Sequence, residues 1–308
     1  MCYRRLAQRL TNPEFVMRDY SEQTLTQAVL DRIAHAPDAR TRQMLQGLVH
    51  HLHAFVRELR PTEAEWASAI DFLTRTGQMC DERRQEFILL SDTLGVSMLV
   101  DTINHARGGA TTETTVLGPF YVEGAPAVEL GADISGGLEG EPLFVEGIVR
   151  SSDGSVLRDV TVDVWQSDDE GHYDLQLSEP GVFFLRGRLR TDAEGRFWFW
   201  SIMPRSYPIP VDGPAGELLA AAGRHAFRPA HVHFMIAAPG HEKLVTHVFV
   251  KGDEYLDSDV VFGVKDSLVA EFERRTETVP LGGGRIGRSH RYLRYDFSLR
   301  NEQAPSAA

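Results

Sequence analysis

Two histidines one residue apart, His231 and His233, stand in the segment RPAHVHFMI (228–236). On a β-strand alternate side chains share a face, so both imidazoles point the same way. Neutral imidazole is the commonest nitrogen ligand of protein-bound metals, and this pair is half of a metal site. The same spacing suits two packed or surface histidines, so the pair taken alone leaves both readings open. No Cys-x-x-Cys knuckle and no HExxH motif accompanies it, so the usual zinc patterns are missing. Two tyrosines stand in unusual contexts instead. Tyr173 lies in DDEGHYD (168–174), just after VTVDVWQ, and Tyr207 lies in MPRSYPIP (203–210), between prolines that restrict its loop. A single loop tyrosine is ordinarily a packed ring with a satisfied hydroxyl. Two phenols with two imidazoles make a coherent donor set. Phenolate is a hard anionic oxygen donor, and a phenol of pKa about 10 ionises at neutral pH only beside a strongly charged cation. Iron(III) is the ion that this chemistry points to.

These residues need a scaffold, and its texture changes along the chain. The first third reads as helices. SEQTLTQAVLDRIAHA (21–36) is amphipathic, and Leu45, Leu48, Val49, Leu52, Phe55, Val56 and Leu59 follow helical spacing, a stripe expected in the core. Thr62 and Glu65 form a capping box before a third helix. A further helix is predicted over 82–106, ending near Gly108-Gly109. After residue 110 short alternating segments and turns take over. LFVEGIVRSS, VTVDVWQSD, LRGRLRTDAEGRFWFWSI, HVHFMIAAPG and LVTHVFVKGD read as strands, with turns at Asp153-Gly154 and Asp192 to Gly195. A last helix is predicted over 263–276 and a final strand near 291–298, before a polar tail. The fold class expected is α+β: a helical domain over 1–110, a linker to about 126, and an antiparallel β-sandwich catalytic domain over 127–308.

Composition narrows the function. The chain has 308 residues, Lys plus Arg 32 and Asp plus Glu 44, for a formal net charge of −12. Such an acidic chain is a poor partner for nucleic acid, whose phosphates need basic surface. The two cysteines, Cys2 and Cys80, build no disulfide framework, which fits a reducing cytoplasm. The N-terminal segment has no apolar signal core, and no run of about 18 apolar residues would span a membrane.

The segments LGPFYVEGAP (117–126), DVWQSDDEGHYD (163–174), GRFWFWSIMPRSYPIP (195–210) and RPAHVHFMIAAPGHEKL (228–244) resemble the intradiol ring-cleaving dioxygenases of the catechol 1,2-dioxygenase type, over nearly the whole chain. HVFVKGDEYLDSDVVFGVKDSLV (247–269) and SYPIP resemble most the members that open hydroxyquinol, benzene-1,2,4-triol. The resemblance implies one mononuclear non-haem Fe(III) per chain, held by Tyr173, Tyr207, His231 and His233, with water or hydroxide beside them. It implies that the triol binds as a bidentate dianion in place of the hydroxide and Tyr207. Intradiol cleavage by dioxygen then yields 3-hydroxy-cis,cis-muconate, a tautomer of maleylacetate. The charge count agrees: exchanging one phenolate and one hydroxide for a dianion leaves a neutral ferric site neutral, which a low-dielectric site favours. The matching arginine, Arg228, would stabilise negative charge developing on the ring. His247 stands where catechol-type members carry glutamine, and is expected beside the ligands rather than among them.

Pocket walls are expected from Leu89 and Asp92, one helical turn apart, from Leu117, Gly118, Pro119 and Phe120, from Ile209 and Pro210, and from Val261. A buried carboxylate at Asp92 needs a partner, and the third hydroxyl of the triol is one. The resemblance also implies a homodimer through the N-terminal helices, with room at that interface for a phospholipid. Three other readings compete: a catechol or chlorocatechol 1,2-dioxygenase, a metal-free β-sandwich binding module, and a zinc hydrolase. The tyrosine loop and the HVH strand weigh against the module, and the missing third ligand motif weighs against zinc.

Overall fold

The computed structural model describes residues 19–81, 84–105, 111–177, 181–276 and 289–302. Cys2, the Gly108-Gly109 pair and the tail from residue 303 lie outside the described residues. The chain forms two compact units, Met1–Phe72 and Leu73–Ala308.

The first unit holds α1 (Leu25–Ile33), α2 (Ala39–Leu59) and the opening of α3 (Glu63–Gln78). The Asp38 side chain accepts the Thr41 N–H and caps α2. The capping box forms as expected: Glu65 Oε2 accepts the Thr62 N–H at 2.7 Å, and Thr62 Oγ1 accepts the Glu65 N–H at 3.3 Å. The apolar stripe expected as core is not core in this chain. No residue of α2 is buried, and Leu48 and Leu59 are 61% and 60% exposed. The physical reason is length. Nine-residue α1 packs beside 21-residue α2 and is less than half as long.

In the second unit the helix predicted over 82–106 is two, α4 (Glu86–Thr93) and α5 (Val96–His105). Gly95 between them takes φ +72°, a left-handed conformation that ends a helix and that glycine reaches without strain. Both helices fall in the unit of the sheets because Leu89 and Met98 are buried with Ile209, Leu219 and Val261. Twelve strands follow among the described residues. β1 (Pro142–Ser151), β4 (Arg196–Ile202), β10 (Glu273–Arg275), β11 (His290–Arg294) and β12 (Phe297–Leu299) make one sheet. β2 (Thr161–Gln166), β3 (Arg186–Arg190), β7 (His231–Ala237), β8 (Leu244–Val250) and β9 (Val269–Ala270) make the other. The short strands β5 (Tyr207–Pro208) and β6 (Phe227–Arg228) pair with each other, and α6 (Asp174–Leu177) and α7 (Pro214–Ala221) complete the unit. A core of Val162, Phe197, Phe234, Val248, Phe297 and their neighbours lies between the sheets.

Three expectations change. The turn at Asp153-Gly154 closes a short antiparallel pairing, with Arg150 opposite Val156, but it and the turn at Asp192 to Gly195 each lead from a strand of one sheet to a strand of the other. Alternation shows which face of a strand is buried, not which edge it pairs with. The sandwich is mixed: β1 takes β11 and β12 in parallel, and β8 takes β9 in parallel, while the remaining ladders are antiparallel. The helix predicted over 263–276 is absent. Asp266–Leu268 makes one 3₁₀ turn, and β9 and β10 then pair with the edges of the two sheets. Leu268 and Phe272, spaced as on a helix face, are both buried in this extended path, so tertiary pairing overrides the local pattern.

Candidate metal centre

β7 is the central element of the site. Its antiparallel neighbours put Trp165 of β2 and His247 of β8 directly across from His233. Trp165 stacks on the His233 ring at 4.6 Å between centroids, and His247 meets it edge-on at 4.1 Å. Tyr173 comes from the turn before α6. Asp168 shapes that turn by accepting the Glu170 and His172 N–H groups at 2.9 and 2.8 Å. The next residue, Asp174, anchors the turn through a buried two-point pair with Arg186. Tyr207 lies on β5, opposite Arg228 of β6. Its loop is tied to the end of β2: Gln166 Nε2 donates to the Ile202 carbonyl, and Ser167 Oγ to the Arg205 carbonyl. Gly171, at φ +93°, lets the two tyrosine segments meet, since a Cβ there would lie 2.9 Å from Tyr207 Cβ.

The four side chains converge. Tyr173 Oη lies 2.9 Å from His233 Nε2 and 3.4 Å from Tyr207 Oη, and His233 Nε2 lies 3.0 Å from His231 Nε2. All four residues are buried. His231 Nδ1 sits 2.6 Å from the Pro229 carbonyl, which only accepts, so this nitrogen carries the ring proton and Nε2 presents a bare lone pair to its neighbours. Lone pairs at such spacing call for a cation. Metal–nitrogen bonds of about 2.1 Å at right angles set donor atoms about 3.0 Å apart. The ring nitrogens of His231, His233 and His247 also gather within 4.8 Å of one another. The two nitrogens and two phenol oxygens therefore fit a hard, highly charged ion.

The electrostatics agree with the donor set. Burial, then the nearby Arg228 guanidinium, pushes the His231 pKa down to about 3. Burial, followed by His247, holds His233 well below the ordinary histidine range, and burial, followed by Arg228, does the same for His247. All three rings are neutral at neutral pH. Burial, reinforced by Tyr207, raises the Tyr173 phenol well above its ordinary value, so it ionises only against a compensating cation.

The sign of the pH dependence follows. Unfolding frees each ring to take a proton below pH about 6.5, and the folded rings refuse it until far lower, about 3 for His231. Stability contributed by the neutral rings is thus present above pH about 6.5 and is lost as the pH falls toward the folded values, about 3 for His231. We expect chelator-stripped protein to lose up to about 1.4 kcal/mol per pH unit for each of the three rings between pH 6.5 and 5. Urea melts at several pH values read this slope, and a flat profile would contradict the buried neutral rings.

The sequence patterns of two families match the chain. One, described as Dioxygenase, covers residues 116–301, and the other, Catechol dioxygenase N terminus, covers 38–112. The chain belongs to the intradiol dioxygenases. The 6-chlorohydroxyquinol 1,2-dioxygenase of Cupriavidus pinatubonensis is 54% identical over 85% of this chain and 95% of its own. The hydroxyquinol 1,2-dioxygenase of Nocardioides simplex is 50% identical over 94% of this chain and 99% of its own. The crystal structure of hydroxyquinol 1,2-dioxygenase from Pseudomonas putida DLL-E4 superposes with a TM-score of 0.85 at 48% identity, over 91% of this chain and 99% of that one. Intradiol dioxygenases use iron, and this chain is an enzyme of that iron-dependent class.

Within the intradiol dioxygenase fold the expected wall residues divide. Leu89, Ile209 and Val261 are buried in one apolar cluster with Val116 and Met98. Phe120 stacks on Tyr173 at 4.2 Å, and Gly118 runs past His233, where a Cβ would lie 3.4 Å from the ring. Asp92 is buried and feels the charges of Arg228 and Asp259. Leu117 and Pro119 face outward and Pro210 is half-buried. Arg228 is buried and lies 3.4 Å through Nη1 from His231 Nε2. The odd offset from His231 would send it to the far face of a straight strand. The break at Pro229 ends β6 before β7 begins, so Arg228 does not follow the alternation of β7. Two participants were not singled out from the sequence. Trp165 is the cross-strand neighbour of His233, and the strand pairing is needed to see it. Asp259 binds Arg228, yet in the sequence it stands beside the exposed Asp257 with nothing to distinguish the two.

Proposed function

We propose that this enzyme opens hydroxyquinol between its two adjacent hydroxyls with dioxygen, using ferric iron held by Tyr173, Tyr207, His231 and His233. The observation that carries the reading is the buried meeting of two phenol oxygens and two imidazole Nε2 atoms within 3.4 Å of their neighbours. Bound ferric iron supplies Lewis acidity that draws electron density from a chelated diol and prepares the ring for dioxygen. The chain's own groups do the rest. Tyr207 Oη accepts a proton from a substrate hydroxyl. Arg228 faces negative charge that develops on the ring carbons, in a site where a fixed cation acts at low dielectric. Leu89, Ile209 and Val261 give the ring a dry apolar wall. His247, with Nδ1 3.4 Å from Arg228 Nη2 and 3.5 Å from Thr115 Oγ1, steadies the arginine rather than serving as a fifth ligand.

The triol, rather than catechol or a chlorocatechol, is favoured by Asp92. Burial raises its pKa against a Ser97 hydrogen bond and the Arg228 charge, and a third hydroxyl is a further partner for this buried carboxyl. In Asp92→Leu the ratio of kcat/KM for hydroxyquinol to that for catechol should fall roughly 10- to 100-fold, the worth of a hydrogen bond to a charged group. An unchanged ratio would remove Asp92 from substrate selection. The reading as a whole is tested by metal analysis, a visible spectrum and oxygen uptake with hydroxyquinol, catechol and chlorocatechols. Colourless iron-free protein, or zinc with indifference to dioxygen, would end it.

The exposed stripe of α2 supports a homodimer through the N-terminal helices, with room for a phospholipid between them. Sedimentation as a stable monomer would remove that part. No described helix is long and apolar enough to cross a membrane, and Cys80 is a free thiol, which favours the cytoplasm. We place the catalytic domain at 127–308, with Leu89, Asp92, Gly118 and Phe120 contributed from before it.

A further inference from the structure

We propose that Asp259 is the positioning residue of Arg228: it fixes the plane of the guanidinium and so aims its cation at the bound diol. This rests on the reading of Arg228 given above. Both side chains are 2% exposed. Arg228 Nε donates to Asp259 Oδ1 at 3.1 Å and Nη2 to Oδ2 at 3.3 Å, a two-point contact that removes rotation about the end of the arginine. The carboxylate is itself held by the backbone: the Gly263 N–H donates to Oδ2 at 2.9 Å and the Val261 N–H to Oδ1 at 3.4 Å. With one edge of the guanidinium so fixed, Nη1 reaches to 3.4 Å from His231 Nε2 and Nη2 to 3.4 Å from His247 Nδ1.

Gly263 closes the arrangement from behind. A Cβ there would lie 3.0 Å from Arg228 Nη2, 3.1 Å from Asp259 Oδ2 and 3.1 Å from Thr115 Oγ1. All of these atoms belong to fixed, buried groups, so an alanine displaces the pair instead of being absorbed. Charge balance points the same way. A guanidinium buried at this depth and left unpaired would draw in water or turn toward Asp92, whose carboxyl feels its charge. Asp259 prevents both, and the cation stays where charge develops during ring opening.

The test uses the full-length, iron-loaded enzyme. Asp259→Asn keeps the shape and one acceptor but removes the charge, and Gly263→Ala keeps the charge but moves the pair. Both are made alone and in an Arg228→Gln background, and kcat per iron, KM and the anaerobic hydroxyquinol-bound visible spectrum are recorded. Each single variant should lower kcat roughly 10- to 100-fold, as a displaced catalytic group does, with KM moving less than about threefold and the substrate-bound spectrum kept. In the Arg228→Gln background neither change should lower kcat further, because there is no guanidinium left to aim. A full additional loss in that background, or unchanged kcat per iron in the single variants, overturns the proposal and leaves Asp259 as a structural residue. Should Asp259→Asn fail to fold, Gly263→Ala carries the same two comparisons. If Arg228→Gln alone keeps full kcat, the role of Arg228 itself fails. That result is separate from a large Arg228 effect with none at Asp259.

Discussion

His233→Ala should strip the iron from the protein. His233 is the hinge of the donor set, with its Nε2 within 3.0 Å of both His231 Nε2 and Tyr173 Oη. Loss of a mere hydrogen-bond partner to a ligand weakens metal binding roughly 10- to 100-fold, and loss of a ligand should exceed that. Metal analysis of the purified variant should find little iron, and oxygen uptake with hydroxyquinol should vanish with it. Because His233 also stacks on Trp165, a gentler control is needed. Tyr173→Phe removes only the phenol oxygen and keeps the ring against Phe120. It should fold like the parent, but with a weakened or shifted phenolate-to-iron absorption band. Iron at parental stoichiometry in His233→Ala, with the parental spectrum in Tyr173→Phe, would refute the four-donor assignment.

Asp174→Ala should destabilise the fold by about 3–5 kcal/mol, the range for removing one partner of a buried ion pair. Arg186 Nε donates to Asp174 Oδ2 at 2.6 Å and Nη2 to Oδ1 at 2.5 Å, and both side chains are almost wholly buried. Without the carboxylate, the guanidinium is left charged inside the protein. The effect reaches the site because Asp174 follows Tyr173 directly. Chemical denaturation measures the stability, and iron content after mild heating measures the aim of Tyr173. A change under about 1 kcal/mol would mean that water reaches Arg186 and that the pair behaves as an exposed one.

Much of the site was legible because it depends on local rules. HVH places two rings on one strand face whatever the sheet around it does, and the prolines around Tyr207 restrict its loop by covalent geometry. The capping box of Thr62 and Glu65 is equally local, and it forms. The segments quoted for the family resemblance carried the rest, including the choice of Tyr173 from among the chain's tyrosines. Where a reading needed a non-local partner it failed or fell short. The turns at Asp153-Gly154 and Asp192 to Gly195 join the two sheets, because two alternating segments show their buried faces and not their pairing edges. The 263–276 segment has helical spacing, yet it pairs as strands because each sheet has an edge there to receive it.

By itself, then, the order of residues determined the class of fold, through residue type and short-range periodicity, and its family motifs pointed to the four side chains that converge. Only the tertiary structure decided that Asp259 rather than Asp257 meets Arg228, that Trp165 and His247 flank His233, and that the stripe on α2 faces outward. The first two are pairings between segments distant along the chain, and the third is the want of such a pairing among the described residues. Such pairings are selected by the burial and charge compensation of the whole fold, which no local pattern records.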